Sequence, residues 1–461
     1  MGAGLAILLA SGSVNAQSDD VITKQYDDGG VYEGTFKEGK QHGTGSYQLP
    51  NGYEYNGDWV NGEILGQGVA RFPNGSVYEG AFANGKPEGF GQITFADGGT
   101  YEGAWVDGKI NGSGVATYAN GVKYEGGFKE ALHDGQGRME SPNGYVYEGS
   151  WVAGVKEGSG KITYPDGATY EGDLSHGVRE GRGNLTMPDG LTYVGEWKDG
   201  QINGKGVLTQ SNGDVYDGEL VNGERQGSGR VTYATGDTYV GQFANDNRQG
   251  AGTFTGTDGY VYVGEWTAGR IEGEGKVTYP DGSVYEGQFR DDLADGFGKI
   301  TYPDGSTYEG DWKSGVIDGK GIAAYGDGLV YEGAFKNAKN HGLGTMTFPD
   351  GYTYVGQWLN GQRHGAGIAT YEDGSIYDGE FANGKREGSG TITMPGGFTY
   401  TGQWQDGEIS GQGIAIYANG DVYEGTFKAG KRDGAGTIRY ATGQETSGEW
   451  SNGALTENDG N

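Results

Sequence analysis

The chain has 461 residues, of which 99 are glycine, 33 are tyrosine and none is cysteine. Glycine at several times its usual share of about 7% argues against helices as the source of a core, and strands joined by turns remain. The formal net charge of −30 opposes binding to nucleic-acid phosphate and to anionic lipid headgroups. A sequence without cysteine also offers no disulfide, thiolate metal site or thiol nucleophile.

The N-terminus resembles an export signal. Residues 1–16 are small and apolar, with a hydrophobic stretch from Leu5 to Ala10, and Val14-Asn15-Ala16 fits the small-residue pattern before a cleavage site. No Lys or Arg precedes the apolar stretch, a departure that points to a start truncated upstream, and an uncleaved anchor is the alternative. We predict that residues 1–16, Met1 to Ala16, are a signal peptide and that the protein is periplasmic, envelope-associated or secreted.

A tyrosine recurs every 23 residues from Tyr32 to Tyr423 without an insertion or a deletion. This spacing defines 18 tandem repeats over residues 32–445. Residues 17–31 match the second half of a preceding repeat, with Tyr26 and Gly29 in register, and form an N-terminal cap. Residues 446–461 hold the first half of a following repeat and an acidic tail. A fixed period of this length is typical of a repeat protein.

Counted from the tyrosine, positions 1, 3 and 5 are Tyr, Gly and a large apolar residue, and positions 12, 14, 16 and 18 are Gly, Gly, an apolar residue and usually an aromatic residue. Strand alternation places each set on one face. In one repeat this gives a strand over Tyr308–Trp312, a loop over Lys313–Asp318 and a strand over Gly319–Tyr325. We therefore predict an all-β fold, a single elongated, twisted antiparallel sheet of tandem hairpins shaped as a rod or half-pipe.

Glycine occupies positions 3, 12, 14 and 21 in every repeat. Glycine normally weakens a strand, so its regular placement predicts aromatic rings that lie flat across strands over positions with no side chain. Before position 21 the sequence is often Pro-Asp, as in Pro280-Asp281-Gly282. This predicts a turn in which Asp makes a side-chain hydrogen bond and Gly takes a positive φ.

The pattern Tyr-Glu-Gly-x-Trp/Phe-x-x-Gly-x-x-x-Gly-x-Gly, recurring at this spacing over roughly nine-tenths of the chain, resembles the MORN repeat. The resemblance implies hairpins in an elongated, groove-like sheet that serves as a scaffold or protein-docking surface, with membrane association often proposed. Some proteins carry such repeats beside a lipid-kinase or methyltransferase domain. The segments outside the array here are too short for one, so no enzyme activity is expected.

The aromatic face at positions 1 and 5 is the candidate partner-binding surface. Two interpretations stay open, a binding groove for a partner helix or peptide and a packing layer alone. The residues assigned to this face are Tyr55, Trp59, Tyr101, Trp105, Tyr147, Trp151, Tyr193, Trp197, Tyr262, Trp266, Tyr308, Trp312, Tyr354, Trp358, Tyr400 and Trp404.

The five histidines, His42, His133, His176, His341 and His364, are interpreted as solvated loop residues, because none pairs with another at ligand spacing. Acidic residues at position 2 lie next to the Asp-Gly turns, and a ladder of calcium sites is an alternative to plain turn chemistry and solubility. No catalytic residue, metal site or cofactor is predicted.

All nine tryptophans stand at position 5, mostly in alternate repeats. Position 16 is often Ala in tryptophan repeats and larger elsewhere, which predicts that positions 5 and 16 share one packed face. Position 10 alternates between Ile in tryptophan repeats and, in several others, Arg. The alternation slips once, at Leu220 and Phe243, and we predict looser packing over residues 216–261.

Together these features predict a non-catalytic scaffold whose aromatic and glycine groove binds an unidentified protein or peptide at the cell envelope. Peripheral membrane or phospholipid binding is the alternative, and the acidic charge disfavours it. Self-association is expected through unpaired edge strands at Ile22–Tyr26 and Thr446–Trp450. No nucleic-acid partner is expected.

Overall fold

A computed structural model describes residues 20–456, so the predicted signal peptide at residues 1–16 lies outside the described residues. Every regular element in the described range is a β-strand. The described residues contain no apolar helix long enough to cross a membrane.

The strands alternate between seven and nine residues over the repeats, with shorter strands at the two ends. In chain order they are β1 Ile22–Gln25, β2 Val31–Lys37, β3 Lys40–Gln48, β4 Glu54–Val60, β5 Glu63–Arg71, β6 Val77–Ala83, β7 Lys86–Thr94, β8 Thr100–Val106, β9 Lys109–Thr117, β10 Lys123–Lys129, β11 Leu132–Glu140, β12 Val146–Val152, β13 Val155–Thr163, β14 Thr169–Ser175, β15 Val178–Thr186, β16 Thr192–Lys198, β17 Gln201–Thr209, β18 Val215–Val221, β19 Glu224–Thr232, β20 Thr238–Ala244, β21 Asn247–Thr255, β22 Val261–Thr267, β23 Arg270–Thr278, β24 Val284–Arg290, β25 Leu293–Thr301, β26 Thr307–Lys313, β27 Val316–Ala324, β28 Val330–Lys336, β29 Lys339–Thr347, β30 Thr353–Leu359, β31 Gln362–Thr370, β32 Ile376–Ala382, β33 Lys385–Thr393, β34 Thr399–Gln405, β35 Glu408–Ile416, β36 Val422–Lys428, β37 Lys431–Arg439, β38 Glu445–Ser451 and β39 Ala454–Leu455.

The chain divides into two compact blocks. The described part of the N-terminal block is residues 20–213 with 219–223, and that of the C-terminal block is residues 214–218 with 224–456. Within each block, successive strands pair antiparallel, so each repeat adds one hairpin. The prediction of an all-β fold built from an antiparallel sheet of tandem hairpins is confirmed. The boundary falls inside the predicted seam at 216–261, where looser packing stays a prediction.

The turn inside each hairpin is tighter than the sequence-based prediction. Only Ser314 and Gly315 lie between β26 and β27. Both have positive φ, 47° and 82°, which is the type I′ geometry of two-residue hairpin turns. The predicted loop over Lys313–Asp318 is therefore wrong in length. Asn-Gly and Asp-Gly pairs at the equivalent positions of other repeats, such as Asn383-Gly384, are the signal that identifies this turn.

The turn between successive hairpins has the predicted chemistry. Between β27 and β28, the Gly328 N–H donates to the Tyr325 carbonyl at 2.9 Å, and Gly328 has a φ of 91°. The Leu329 N–H donates to the Asp327 carboxylate at 3.1 Å. The prediction of an Asp side-chain hydrogen bond followed by glycine at positive φ is confirmed here, and it fixes where each new hairpin begins.

A bulge interrupts the pairing between the two strands of each hairpin. Along β26 and β27, Gly310 pairs with Gly321 and Trp312 pairs with Ile317, with a shift of register between the two pairs. In the bulge the Lys320 N–H donates to the Asp311 carboxylate at 2.8 Å. The bulge keeps the rings at positions 1 and 5 on the same face while the local twist of the strand increases.

The tyrosine at position 1 lies over the glycines at positions 3 and 14. A Cβ atom added at Gly321 would come within 2.6 Å of the Tyr308 ring, and one added at Gly310 would come within 2.4 Å of the Lys320 carbonyl oxygen. The Tyr308 hydroxyl donates to the Asp311 carbonyl at 3.0 Å. The predicted fit of aromatic rings over glycine is confirmed, and it buries Tyr308 to 2% exposure.

The two terminal strands differ in how far they are covered. Among the described residues, β1 pairs on one side only, with β2. At the other end β39 pairs with the last residues of β38, and the Thr456 N–H donates to the Glu449 carbonyl at 2.9 Å. The prediction that Thr446–Trp450 is wholly unpaired is therefore wrong. Asn452 and Gly453 form the same positive-φ turn as in the complete repeats and start a further strand.

We expect Gly321→Ala to lower the free energy of unfolding by about 1–3 kcal/mol, because the added methyl group overlaps the buried Tyr308 ring. Gly396→Ala is the matched control, since a Cβ there meets no atom within 4 Å and its φ is not positive. It should change the stability by less than about 0.5 kcal/mol. Thermal denaturation followed by circular dichroism measures both, and equal shifts would contradict the packing described.

Candidate protein-interaction groove

The rings at positions 1 and 5 form an edge-to-face ladder along each block. The Tyr308 ring contacts Trp312 of its own repeat, with centroids 5.5 Å apart, and Phe335 of the next repeat at 5.0 Å. Tyr331 likewise contacts Phe335 at 4.9 Å and Trp358 at 5.4 Å. Edge-to-face pairs at these distances add roughly 0.5–1.5 kcal/mol each beyond the area they bury. The ladder is therefore the hydrophobic core of the array.

The structure places fifteen of the sixteen residues assigned to the aromatic face in this core, and Trp312 is half-buried. The buried tyrosines among them are 0–2% exposed and the buried tryptophans 3–6%. The aromatic face was interpreted either as a binding groove or as a packing layer alone, and these contacts are those of a packing layer. A direct binding role for the sixteen side chains stays a prediction.

Each tryptophan also bonds to the repeat before it. The Trp312 Nε1–H donates to the carbonyl of Gly298, at position 14, at 3.1 Å, and the other eight tryptophans make the equivalent bond at 3.1–3.4 Å. The Trp59 ring also contacts the position 16 residue Tyr47, with centroids 5.9 Å apart. Positions 5 and 16 share one packed face, as predicted, and the larger residue belongs to the preceding repeat.

Arginines at position 10 cover the tryptophans. The Arg386 guanidinium lies 4.2 Å from the Trp404 ring centroid and donates to the Gly407 carbonyl at 2.7 Å. The alternation at position 10 is visible in the sequence, but its role was not predicted. The same arrangement joins Arg179 to Trp197, Arg248 to Trp266 and Arg432 to Trp450. Each of these arginines stabilises the repeat that follows it.

A groove runs between two rims on this face. In the C-terminal block one stretch of it encloses about 700 Å³. Its floor is formed by residues of the aromatic ladder and position 10, including Trp358, Arg363 and Phe381, and one rim by Tyr352 and Tyr371. The opposite rim is the row of two-residue turns. An equivalent stretch in the N-terminal block encloses about 610 Å³, and the residues that line it lie between Tyr47 and Pro87 in the sequence.

The side chains at position 18 form an aromatic rim, and none of the sixteen predicted binding residues belongs to it. These side chains are half-buried or exposed, unlike the ladder below them. Aromatic residues at position 22 bridge some of them, as Tyr352 does to Tyr371 with centroids 5.3 Å apart. The residues of the aromatic rim are Phe72, Phe95, Tyr118, Tyr164, Tyr233, Tyr279, Tyr302, Tyr325, Phe348, Tyr371, Tyr417 and Tyr440. Their recurrence at one position in the repeat is the signal that identifies them.

Carboxylates are interleaved with the aromatic rim. Partial burial raises the pKa of Tyr302, and the neighbouring Asp281, Tyr325 and Asp304 raise it further. Asp281 and Asp304 stand at position 20, in the turns that end each repeat. Rings and negative charges thus alternate along one edge of the groove, which favours ligands that are both apolar and cationic.

His133 is half-buried on the groove floor, which corrects its interpretation as a solvated loop residue. Its ring stacks on Tyr124 with centroids 3.6 Å apart, and its Nε2 lies 2.6 Å from the Tyr118 hydroxyl. Burial lowers its pKa. Positions 10 and 11 belong to a strand rather than to a loop, so the loop interpretation is also wrong for His42, His341 and His364.

The calcium alternative requires acidic side chains that converge on one ion. In residues 20–456 no group of three or more His, Asp or Glu side chains is placed to hold a metal ion. Position 20 carboxylates accept local backbone bonds, as Asp304 does from the Ser306 N–H at 2.9 Å. Turn chemistry explains the acidic residues at position 20, and a calcium ladder at position 2 stays an untested alternative.

The sequence matches the family model of the MORN repeat in eighteen segments, one for each predicted repeat. The segments are 32–52, 55–77, 78–100, 101–123, 124–144, 147–169, 170–192, 193–215, 216–238, 239–259, 262–284, 285–307, 308–330, 331–351, 354–376, 377–399, 400–422 and 423–445. The chain belongs to the MORN-repeat family. MORN repeats form a scaffold suited to protein or membrane interactions, and the family is generally non-catalytic.

No curated protein matches the chain. Among solved structures it is similar to the TCP domain of SAS-4 from Drosophila melanogaster in complex with a proline-rich motif of Ana2, at 20% identity over 32% of this chain and 82% of that one, with a TM-score of 0.22. It is also similar to the TCP10 domain of CPAP from Danio rerio, at 15% identity over 48% and 93%, with a TM-score of 0.20. TM-scores this low support no conclusion about the MORN chain.

We expect Arg386→Ala to lower the free energy of unfolding by about 1–3 kcal/mol, since it removes both the stack on Trp404 and the bond to Gly407. Lys385→Ala is the matched control, because Lys385 makes only an exposed ion pair with Asp406 and should contribute about 0–1 kcal/mol. Denaturant unfolding followed by tryptophan fluorescence measures both. Equal effects of the two substitutions would show that the stack does not stabilise the array.

We expect the array to unfold as the pH rises from about 10 to about 12. Burial raises the pKa of Tyr331, Tyr354 and Tyr400 to about 12, above the value of about 10 in an unfolded chain. The stability from these buried neutral rings is complete below the unfolded pKa and is lost towards the folded one. Tyrosinate absorbance and circular dichroism, recorded together, test this. Full ionisation near pH 10 with the strands intact would contradict it.

Proposed function

We propose that this MORN-repeat protein is a non-catalytic scaffold at the cell envelope, which binds a protein partner along the groove between the aromatic rim and the two-residue turns. The proposal rests on a difference in burial between two rows of aromatic side chains. The ladder at positions 1 and 5 is buried and supplies stability. The rim at position 18 remains partly exposed in a regular row, and exposed apolar surface of this kind marks interaction sites.

A protein partner fits the surface better than a phospholipid membrane does. Aromatic residues also occur at membrane interfaces, and this is the basis of the alternative function. Here, however, carboxylates such as Asp281 and Asp304 lie beside a rim ring, and the whole chain carries a net charge of −30. Anionic headgroups would be repelled by both.

Export and self-association are parts of the same proposal. The apolar residues 1–16 support export to the envelope, with residues 17–31 as the start of the mature chain. β1 offers an edge for pairing between copies, and β39 is short enough to leave most of the β38 edge available. Docking of copies through these edges would lengthen the groove.

The test is affinity capture from an envelope extract with three forms of the full chain. The rim variant Tyr302→Ser/Tyr325→Ser removes two exposed rings of the groove. The matched control Phe297→Ser/Leu343→Ser removes two apolar side chains at position 13, which are 55% and 71% exposed on the opposite face of the sheet. We expect proteins that the wild type and the control retain and the rim variant loses. Identical captured sets for all three forms would contradict docking in the groove.

The alternative function is tested on the same variants by co-sedimentation with phosphatidylglycerol vesicles at physiological salt. We expect little binding by the wild type, because of the charge. Tight, salt-sensitive binding that the rim variant loses would favour the lipid function over the protein scaffold.

A further inference from the structure

The longest uninterrupted run of the aromatic rim lies in the C-terminal block. It consists of Tyr279, Tyr302, Tyr325, Phe348 and Tyr371, one ring in each of five successive repeats. Tyr302 is 38% exposed and Tyr325 is 42% exposed, and the other three are half-buried. A ligand lying along the groove therefore meets the same ring once per hairpin.

The distance between the rings of successive hairpins determines which peptide conformation can contact each ring in the same way. Each hairpin adds two strands, so neighbouring rings are spaced about 9.6 Å apart. A polyproline II helix advances about 9.3 Å in each three-residue turn. Over the four intervals of the run, the rings cover about 38 Å and twelve residues of polyproline II about 37 Å.

Other regular peptide conformations do not keep this register. An extended strand repeats its side-chain direction about every 6.8 Å, so it presents no side chain in phase with the rings. Two turns of α-helix advance about 10.8 Å and drift by more than 1 Å at each hairpin. A ligand with the three-residue period of polyproline II is therefore the one that contacts every ring in the same way.

The charge of this stretch differs from that of the rest of the groove. Position 10 supplies the floor, and in the first four of these repeats it holds the uncharged residues Ile271, Ala294, Ile317 and Asn340. In the fifth repeat, which carries Tyr371, the same position holds Arg363. The rim above the uncharged floor carries an aspartate two residues after each ring: Asp281, Asp304, Asp327 and Asp350. An uncharged floor beside a row of carboxylates is complementary to a ligand with apolar and cationic residues.

We propose that the rim from Tyr279 to Phe348 binds a basic, proline-rich segment of a partner protein in the polyproline II conformation. One proline of each triplet packs on one ring, and a lysine or arginine of each triplet faces the aspartates. Proline-rich segments bind aromatic grooves because their conformation is set before binding. This inference rests on the proposed function, since it names the partner class for the same groove.

The test uses fluorescence anisotropy with the full-length protein and a labelled peptide of five Pro-Pro-Lys triplets. Two further peptides serve as controls. Five Gly-Ser-Lys triplets keep the charge and the length without the conformation. A peptide with the composition of the first, but with its lysines and prolines out of the three-residue period, keeps composition without register. We expect the first peptide to bind at least roughly tenfold more tightly than either control.

Variants of the protein locate the binding. Tyr302→Ser/Tyr325→Ser should weaken the affinity by roughly tenfold, whereas Tyr302→Phe/Tyr325→Phe keeps the rings and should change it by less than about twofold. Phe297→Ser/Leu343→Ser should leave it unchanged, because those residues lie on the other face. Circular dichroism of each variant confirms that the sheet is intact.

Equal affinity for all three peptides, or equal affinity of the serine and phenylalanine variants, would overturn the inference. If the capture experiment still finds rim-dependent partners, the scaffold function stands and only the ligand class is wrong. If capture is also independent of the rim, both proposals fail. The two failures are thus distinguishable.

Discussion

The fit of one tyrosine ring over two glycines determines the rest of the structure. At position 1 the ring covers the space where side chains at positions 3 and 14 would stand, as Tyr308 does over Gly310 and Gly321. A sheet with one aromatic face exposed to water would be unstable, and this arrangement lays the rings flat so that neighbouring rings contact them edge-on. The core is therefore as thick as a single layer of rings. Each repeat needs only its neighbours to bury it.

Side-chain contacts stabilise the junction between neighbouring repeats from both sides. The indole of Trp404 bonds back to the carbonyl of Gly390, and Arg386 extends forward over the Trp404 ring. In four such pairs a repeat without tryptophan supplies the arginine, and the following repeat supplies the tryptophan ring. Where the alternation slips, Arg225 lies 5.3 Å from the Phe243 ring instead of over a tryptophan. The pair of repeats, rather than the single repeat, is the unit of packing.

Much of the fold was predictable because each element has a local sequence signal. The 23-residue period, the glycine positions and the Pro-Asp-Gly turn identify the hairpins. The two-residue turn was missed because six polar residues such as Lys313–Asp318 resemble a loop, although an Asx-Gly pair marks the turn in many repeats. The candidate site was harder to predict from the sequence. Sequence shows which residues are aromatic, but only the packing shows that Trp404 is buried while Tyr325 at the rim remains exposed.

Four tryptophans pack against an arginine of the preceding repeat, and this has a consequence for how the gene can change in length. Loss or duplication of a single repeat at such a pair places a different repeat beside the tryptophan at one junction, because each repeat contacts only its neighbours. Loss or duplication of two adjacent repeats leaves all the remaining contacts as they were. Where tryptophan and arginine repeats alternate, a change of two repeats therefore disturbs the packing less than a change of one. At Leu220 and Phe243 two successive repeats lack tryptophan, and this pairing is absent.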